Sequence, residues 1–195
     1  MLVTEKKYAI NTAILCLVWG TSAYSFYFTE FYMKYVPVQN VYYLAIMMGF
    51  SDMLTSFIYS CVSRRISTRN LLVLCSALLS LFATVLSVTL YVNSSPKIEK
   101  KAEEGSTHLS ETLPLSMQLL YSVSIFGLRF FSALTFMGAY QATNDYFPTL
   151  LKGAIFALTN VVARLASVFS PVSAEWLENP SVSVAIVSAA TALAS

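Results

Sequence analysis

Long runs of apolar side chains, each closed off by a short polar cluster, organise this chain. They cover residues 8–28, 41–62, 71–92, 115–145, 150–172 and 182–194. A transmembrane helix needs about 20 predominantly apolar residues to cross a hydrocarbon core roughly 30 Å thick, and the first five runs meet that length. The last is small and apolar but too short to span comfortably. The runs are continuous, whereas membrane strands would alternate apolar and polar residues over about ten positions. Helices are therefore predicted, since they satisfy their own backbone hydrogen bonds in lipid. No glycine-rich or repeat-bearing linker divides the set. The expectation is an all-α membrane protein, with residues 1–195 forming a single transmembrane domain of six spans.

The one long polar connection covers residues 93–114, where Lys97, Lys100 and Lys101 alternate with Glu99, Glu103, Glu104 and Glu111 among Ser, Pro and Gly. It reads as a flexible, solvated loop, and its His108 as a solvated side chain. Asn93-Ser94-Ser95 matches a glycosylation sequon but lies at the very end of a span.

Composition agrees with lipid as the solvent. Of 195 residues, 56% are hydrophobic and 11% charged, with a mean hydropathy of +0.64, against roughly 25% charged in soluble domains. The first run has a longer apolar core than a signal peptide and no small-residue cleavage site, so it reads as a retained helix. A net charge of +2 without a basic, aromatic-interleaved stripe gives no reason to expect a nucleic-acid partner. Cys16, Cys61 and Cys75 stand alone in apolar runs, without metal-ligand or CxxC spacing, and read as small buried hydrophobes. No metal or cofactor is expected. Lys and Arg in the loops set the orientation: a cytoplasmic N-terminus puts Lys6, Lys7, Arg64, Arg65, Arg69 and Lys152 inside and Lys34, Lys97, Lys100 and Lys101 outside, six against four. Which membrane holds the chain is not encoded in these features.

Three charges fall deep within the runs, away from their ends: Asp52, Arg129 and Arg164. An ionisable residue at the bilayer centre costs about 2.5–3.5 kcal/mol on insertion scales, so it normally faces protein or a water-filled cavity. Two readings stand side by side. Each Arg is a structural pin, bonded to helix carbonyls or to a carboxylate such as Asp52, or the arginines line a solute pathway and attract an anionic group. Helical spacing puts Arg129 on one stripe with Phe136 and Tyr140, Arg164 with Asn160, Ser167 and Pro171, and Asp52 with Met48, Thr55, Ser56 and Tyr59. Polar, aromatic-bearing seams of this kind suit a cavity for an amphipathic organic solute. No Ser/His/Asp arrangement, carboxylate pair on one helix face or phosphate-cradling glycine loop is present, so an enzyme is not expected.

The fourth and fifth runs carry more specific patterns. Gly127-Leu128-Arg129, followed by Tyr140-Gln141-Ala142-Thr143-Asn144-Asp145-Tyr146-Phe147-Pro148-Thr149 and Lys152, resembles a stretch in organic ion transporters of the major facilitator superfamily that reads G-x-K/R, then Y-x-x-T-x-E-x-F/Y-P-T-x-x-R. Asn160 and the segment from Arg164 to Pro171 resemble the R-x-G-S-x-x-S/A-P of the eleventh helix of that family. Arg65-Ile66-Ser67-Thr68-Arg69 is similar to its loop between helices eight and nine, and Gly49-Phe50-Ser51-Asp52 to the acidic G-x-x-E of helix eight. The chain departs from the pattern at Arg64, where the loop motif has an acid, and at Ser67, Asp145 and Lys152, which replace Gly, Glu and Arg.

The resemblance implies helices seven to twelve, a six-helix half of a major facilitator fold, with a second half on the same or another chain as partner. It implies transport of small organic ions by alternating access, with a lean toward anions from Arg164. It places Arg129 and Arg164 near a midplane solute site, to which the shared helical faces add Tyr140, Phe136, Asn160 and Asp52. Asp145 would pair with Arg65 or Arg69, with Lys152 close by, as a conformational latch. The competing reading is a degenerate transporter half retained as a structural subunit of a membrane complex.

Overall fold

The computed structural model describes residues 6–32, 41–103 and 115–176. They form five helices: α1 (Lys6–Tyr32), α2 (Val41–Val62), α3 (Thr68–Glu103), α4 (Leu115–Tyr146) and α5 (Thr149–Trp176). No strand occurs among the described residues. All five helices contain a segment long and apolar enough to cross a membrane, which makes this an all-α, multi-pass membrane protein. The short run at 182–194 and the loop residues 104–114, His108 included, lie outside the described residues.

Two boundaries differ from the hydrophobic pattern. The first helix continues to Tyr32, carrying Glu30 into the same helix as the apolar run. The third continues through residues 93–103, expected to be loop and including the sequon at Asn93. Lys, Glu and Ala are good helix formers, so a charged tail can extend an established helix beyond its apolar part. Apolarity marks where lipid begins and ends, and the helix need not stop there.

Neighbours in sequence are not always neighbours in space. Helix α4 is the hub, packed against α1, α2 and α3 and lightly against α5, while α1 makes its largest contact with α5. Helices α1 and α2 do not pack on each other, nor do α1 and α3. Each pair straddles α4, leaving one cleft between α1 and α2 and another between α1 and α3.

Close approach depends on small residues, as is usual where lipid tails compete for apolar surface. Gly127 of α4 lies against the ring of Phe82 of α3, and a Cβ at 127 would run into that ring. Ser22 of α1 and Ser132 of α4 are both fully buried, and the Ser132 hydroxyl donates to the Ser22 carbonyl at 2.9 Å. Most other intramembrane hydroxyls return their proton to a carbonyl of their own helix, as Thr55 does to Ser51 at 2.8 Å and Thr143 to Ala139 at 2.8 Å. The core at the meeting of α1, α4 and α5 is aromatic. Trp19, with no exposed surface, has Tyr140, Phe136 and Phe156 at centroid distances of 4.4, 5.0 and 6.2 Å.

Of the three cysteines, all free, only Cys75 is buried; Cys16 is half-buried and Cys61 exposed. The expectation of buried thiols fails at Cys61 because a small apolar side chain can face hydrocarbon without penalty.

A buried arginine joining three helices

Arg129 lies near the middle of α4, and its side chain is 4% exposed. A guanidinium brings five N–H donors into any such site, and four of them are engaged. Nε donates to Asp52 Oδ1 at 3.0 Å and Nη2 to Asp52 Oδ2 at 2.9 Å, the bidentate fork that matches a carboxylate. Nη2 also donates to Glu30 Oε1 at 3.0 Å, and Nη1 to the Phe26 carbonyl oxygen at 2.9 Å. The Phe26 ring covers the guanidinium, with Cζ 3.2 Å from the ring centroid, a cation–π contact. Helix periodicity explains the α1 side of the site. Ser22, Phe26 and Glu30 recur every four residues and so share the face turned to α4. One cation thus links α1, α2 and α4, and bridges two helices, α1 and α2, that do not otherwise pack together.

The carboxylates differ from the arginine in exposure. Asp52 and Glu30 are 40% and 44% exposed, so the site hides its positive charge and presents its negative ones. Beside it, in the cleft between α1 and α2, is a cavity of about 280 Å³ lined by Phe26 and Tyr27 of α1, Asp52 and Thr55 of α2, and Phe136 and Met137 of α4. Its walls are apolar and aromatic, with one carboxylate. That composition suits the cationic end of a small amphipathic molecule. Among the described residues no cluster of His, Cys, Asp and Glu could hold a metal ion.

The remaining residues expected at a solute site separate into two groups. Phe136 lines the cavity, whereas Tyr140, one helical turn on, packs on Trp19 and Phe156. Arg164 and Asn160 lie on the exposed face of α5, and the Asn160 amide donates to the Phe156 carbonyl at 2.9 Å. The structure therefore brings together Arg129, Asp52 and Phe136, and leaves Arg164 and Asn160 apart from them. Glu30 is the member that the sequence pattern missed. An apolar run read to residue 28 stops short of it, and only the continuation of α1 to Tyr32 makes its four-residue spacing from Phe26 meaningful.

At the other end of α4 the expected latch residues are differently paired. Asp145 accepts a hydrogen bond from the Thr68 hydroxyl at 2.6 Å, at the start of α3. Among the described residues the ion pairs within 4 Å are those of Arg129, so Asp145 makes none with Arg65, Arg69 or Lys152 in this conformation. Arg65 and Arg69 are exposed. Arg69 lines the other cleft, about 610 Å³, between α1 and α3. Tyr59 of α2 donates to Gln141 of α4, so hydroxyl and amide groups tie this end of the bundle together.

Against these features, no family model, curated protein or solved structure matches the chain.

Proposed function

We propose that this chain is the transmembrane unit of a transporter that moves small organic ions by alternating access, built as the C-terminal six-helix half of a major facilitator fold and working with a second half. The observation that carries the reading is the three-helix charge cluster of Arg129, Asp52 and Glu30 beside an aromatic cavity inside the spans. Ionisable groups are expensive in lipid and are kept where a solute or proton needs them. Alternating access places the solute between two halves that rock about it, and the cleft between α1 and α2 is open enough to face such a partner.

The arrangement bears on the sign of the solute. Arg129 is committed to protein acceptors, so Asp52 and Glu30 set the charge offered in the cleft, which favours a cation. An anion would have to use Arg164, on the exposed face of α5, where that arginine also meets whatever second half covers it.

The commitment of four of the five Arg129 donors to protein acceptors also favours the second reading, a structural membrane subunit in which the cluster only pins α1, α2 and α4 together. Uptake of labelled organic cations and anions into proteoliposomes holding the full gene product tests both. Cation uptake that disappears in Asp52→Asn, with membrane insertion intact, supports transport. No uptake of any probe, with Asp52→Asn simply lowering stability, assigns the cluster to structure.

A further inference from the structure

Arg164 is a second cation deep in the spans. At about 1.5 Å per residue it lies roughly 22 Å along α5 from Thr149, and Arg129 roughly 25 Å along α4 from Tyr146. Only two residues separate Tyr146 from Thr149, so these helix ends share one face of the bundle and the two arginines share one depth. Arg129 is engaged by Asp52 and Glu30, whereas Arg164 is exposed and, among the described residues, in no ion pair. A charge at that depth is costly unless protein or water meets it.

Helices α2 and α5 are the least buried of the five spans, and they make no contact with each other. They nevertheless stand on the same side of the bundle. Phe156 of α5 packs on Tyr140 of α4, with ring centroids 5.8 Å apart, and Tyr140 follows one turn after Phe136, which lines the cleft between α1 and α2. The mouth of that cleft is therefore flanked by α2 and α5. Phe156, Asn160 and Arg164 recur every four residues, so the stripe that carries Arg164 turns from α4 toward the mouth. On α2 the facing stripe holds Asp52 between exposed Gly49 and Ser56, and the space beside Gly49 is open, so a further helix can approach closely there.

The two rims of the cleft thus bear opposite charge at one depth. Asp52 accepts one hydrogen bond on each oxygen, both from Arg129. A carboxylate has about four acceptor sites, and the Asp52 side chain is 40% exposed, so it can take a second guanidinium. Because Arg129 faces Glu30 as well, a second cation meets negative charge not yet balanced. Within one chain the cleft keeps Arg164 and Asp52 apart. A two-fold axis along the membrane normal, passing through the mouth, sets the cationic rim of each copy on the carboxylate rim of the other and forms both pairs at once.

We infer that the second half is a second copy of this chain, with α5 of each copy against α2 of the other and Arg164 donating to Asp52 of the partner subunit. The complementarity is that of the chain with itself, which selects a copy over an unrelated partner. The dimer closes the cleft and brings a residue of the other copy to the 280 Å³ cavity. Calling the copy a transporter half rests on the transport reading, whereas the contact does not.

Single-molecule photobleaching of the fluorophore-labelled full chain in liposomes tests the pairing. Two bleaching steps are expected for the unaltered chain and for Arg164→Lys. Arg164→Ala should weaken association by roughly tenfold or more, since a desolvated charge pair loses one partner. Copies carrying Ser56→Cys, mixed with copies carrying Asn160→Cys, should form a disulfide between these positions on mild oxidation, identified by mass spectrometry of the joined peptides. In dilute micelles the copies separate, and the single chain should unfold alike with and without Arg164. Single steps at every protein-to-lipid ratio overturn the pairing, as do dimers that Arg164→Ala leaves equally stable. Uptake of labelled organic ions by single copies also overturns it and leaves the transport reading standing. Arg164-dependent dimers that take up no labelled ion overturn the transport reading and leave the pairing standing.

Discussion

Replacing Asp52 by Asn isolates the energetic role of the Arg129 fork. The amide oxygen can still accept from Nε, but the amide nitrogen now confronts Nη2, donor against donor. One charge-assisted hydrogen bond is lost and the other keeps charge only on its donor, which weakens it toward a neutral one. Hydrogen bonds to charged groups contribute roughly 1.5–3 kcal/mol and neutral ones about 1 kcal/mol, so the gross loss is about 3 kcal/mol. Asp52 is 40% exposed and Glu30 stays bonded to Nη2, which reduces the expected destabilisation to about 2 kcal/mol. Arg129→Met removes the cation while keeping an unbranched chain of similar length. In a double-mutant cycle the two changes should be strongly non-additive, with a coupling of roughly 1.5 kcal/mol, because Asp52→Asn costs little once no guanidinium is present. The assay is reversible unfolding in mixed micelles, followed by far-ultraviolet circular dichroism and by tryptophan fluorescence, to which the buried Trp19 contributes. Polar contacts between membrane helices average about 0.6 kcal/mol in such cycles. A coupling below about 0.5 kcal/mol would show that the fork holds nothing together and would refute this energetic reasoning.

Three further outcomes are expected. Gly127→Ala should destabilise the chain by about 1–3 kcal/mol through overpacking against Phe82, with Phe82→Leu in the same chain recovering most of the loss in thermal unfolding. Arg164→Ala should leave unfolding unchanged to within about 0.5 kcal/mol, since its side chain is exposed on α5 and in no ion pair among the described residues; a larger loss would mean that α5 is anchored through it. Asp145→Ala and Thr68→Ala should each lower stability by up to about 1 kcal/mol and together by no more than either alone, because they remove the same 2.6 Å hydrogen bond.

The cluster was partly legible in the sequence for a simple reason. A charge inside an apolar run is conspicuous, so Arg129 and Asp52 stood out, and a carboxylate such as Asp52 was a natural partner for an intramembrane arginine. Arg164 was equally conspicuous, yet spacing along one helix says which residues share a face and nothing about what that face meets. The α5 stripe of Asn160 and Arg164 turned out to be the exposed one. Glu30 was hidden for the opposite reason, since an acid at the edge of an apolar run looks like the start of a loop. Tyr140 and Phe136 share a stripe and both pack on Trp19, but only Phe136 lines the cavity, while Tyr140, one turn on, is more exposed.

By itself the sequence determined that the chain is helical and lives in lipid, because apolar runs of span length with few charges admit no other solvent and no open backbone. It also determined where the costly charges lie along each helix. The tertiary structure decided which of them meet. Packing α1 and α2 on either side of α4 sets a cation from one helix between carboxylates from the other two, and it leaves one negative charge over. That excess arises from three residues up to 99 positions apart in sequence. A local pattern records the period of a single helix, and it carries no information about which helices pack side by side.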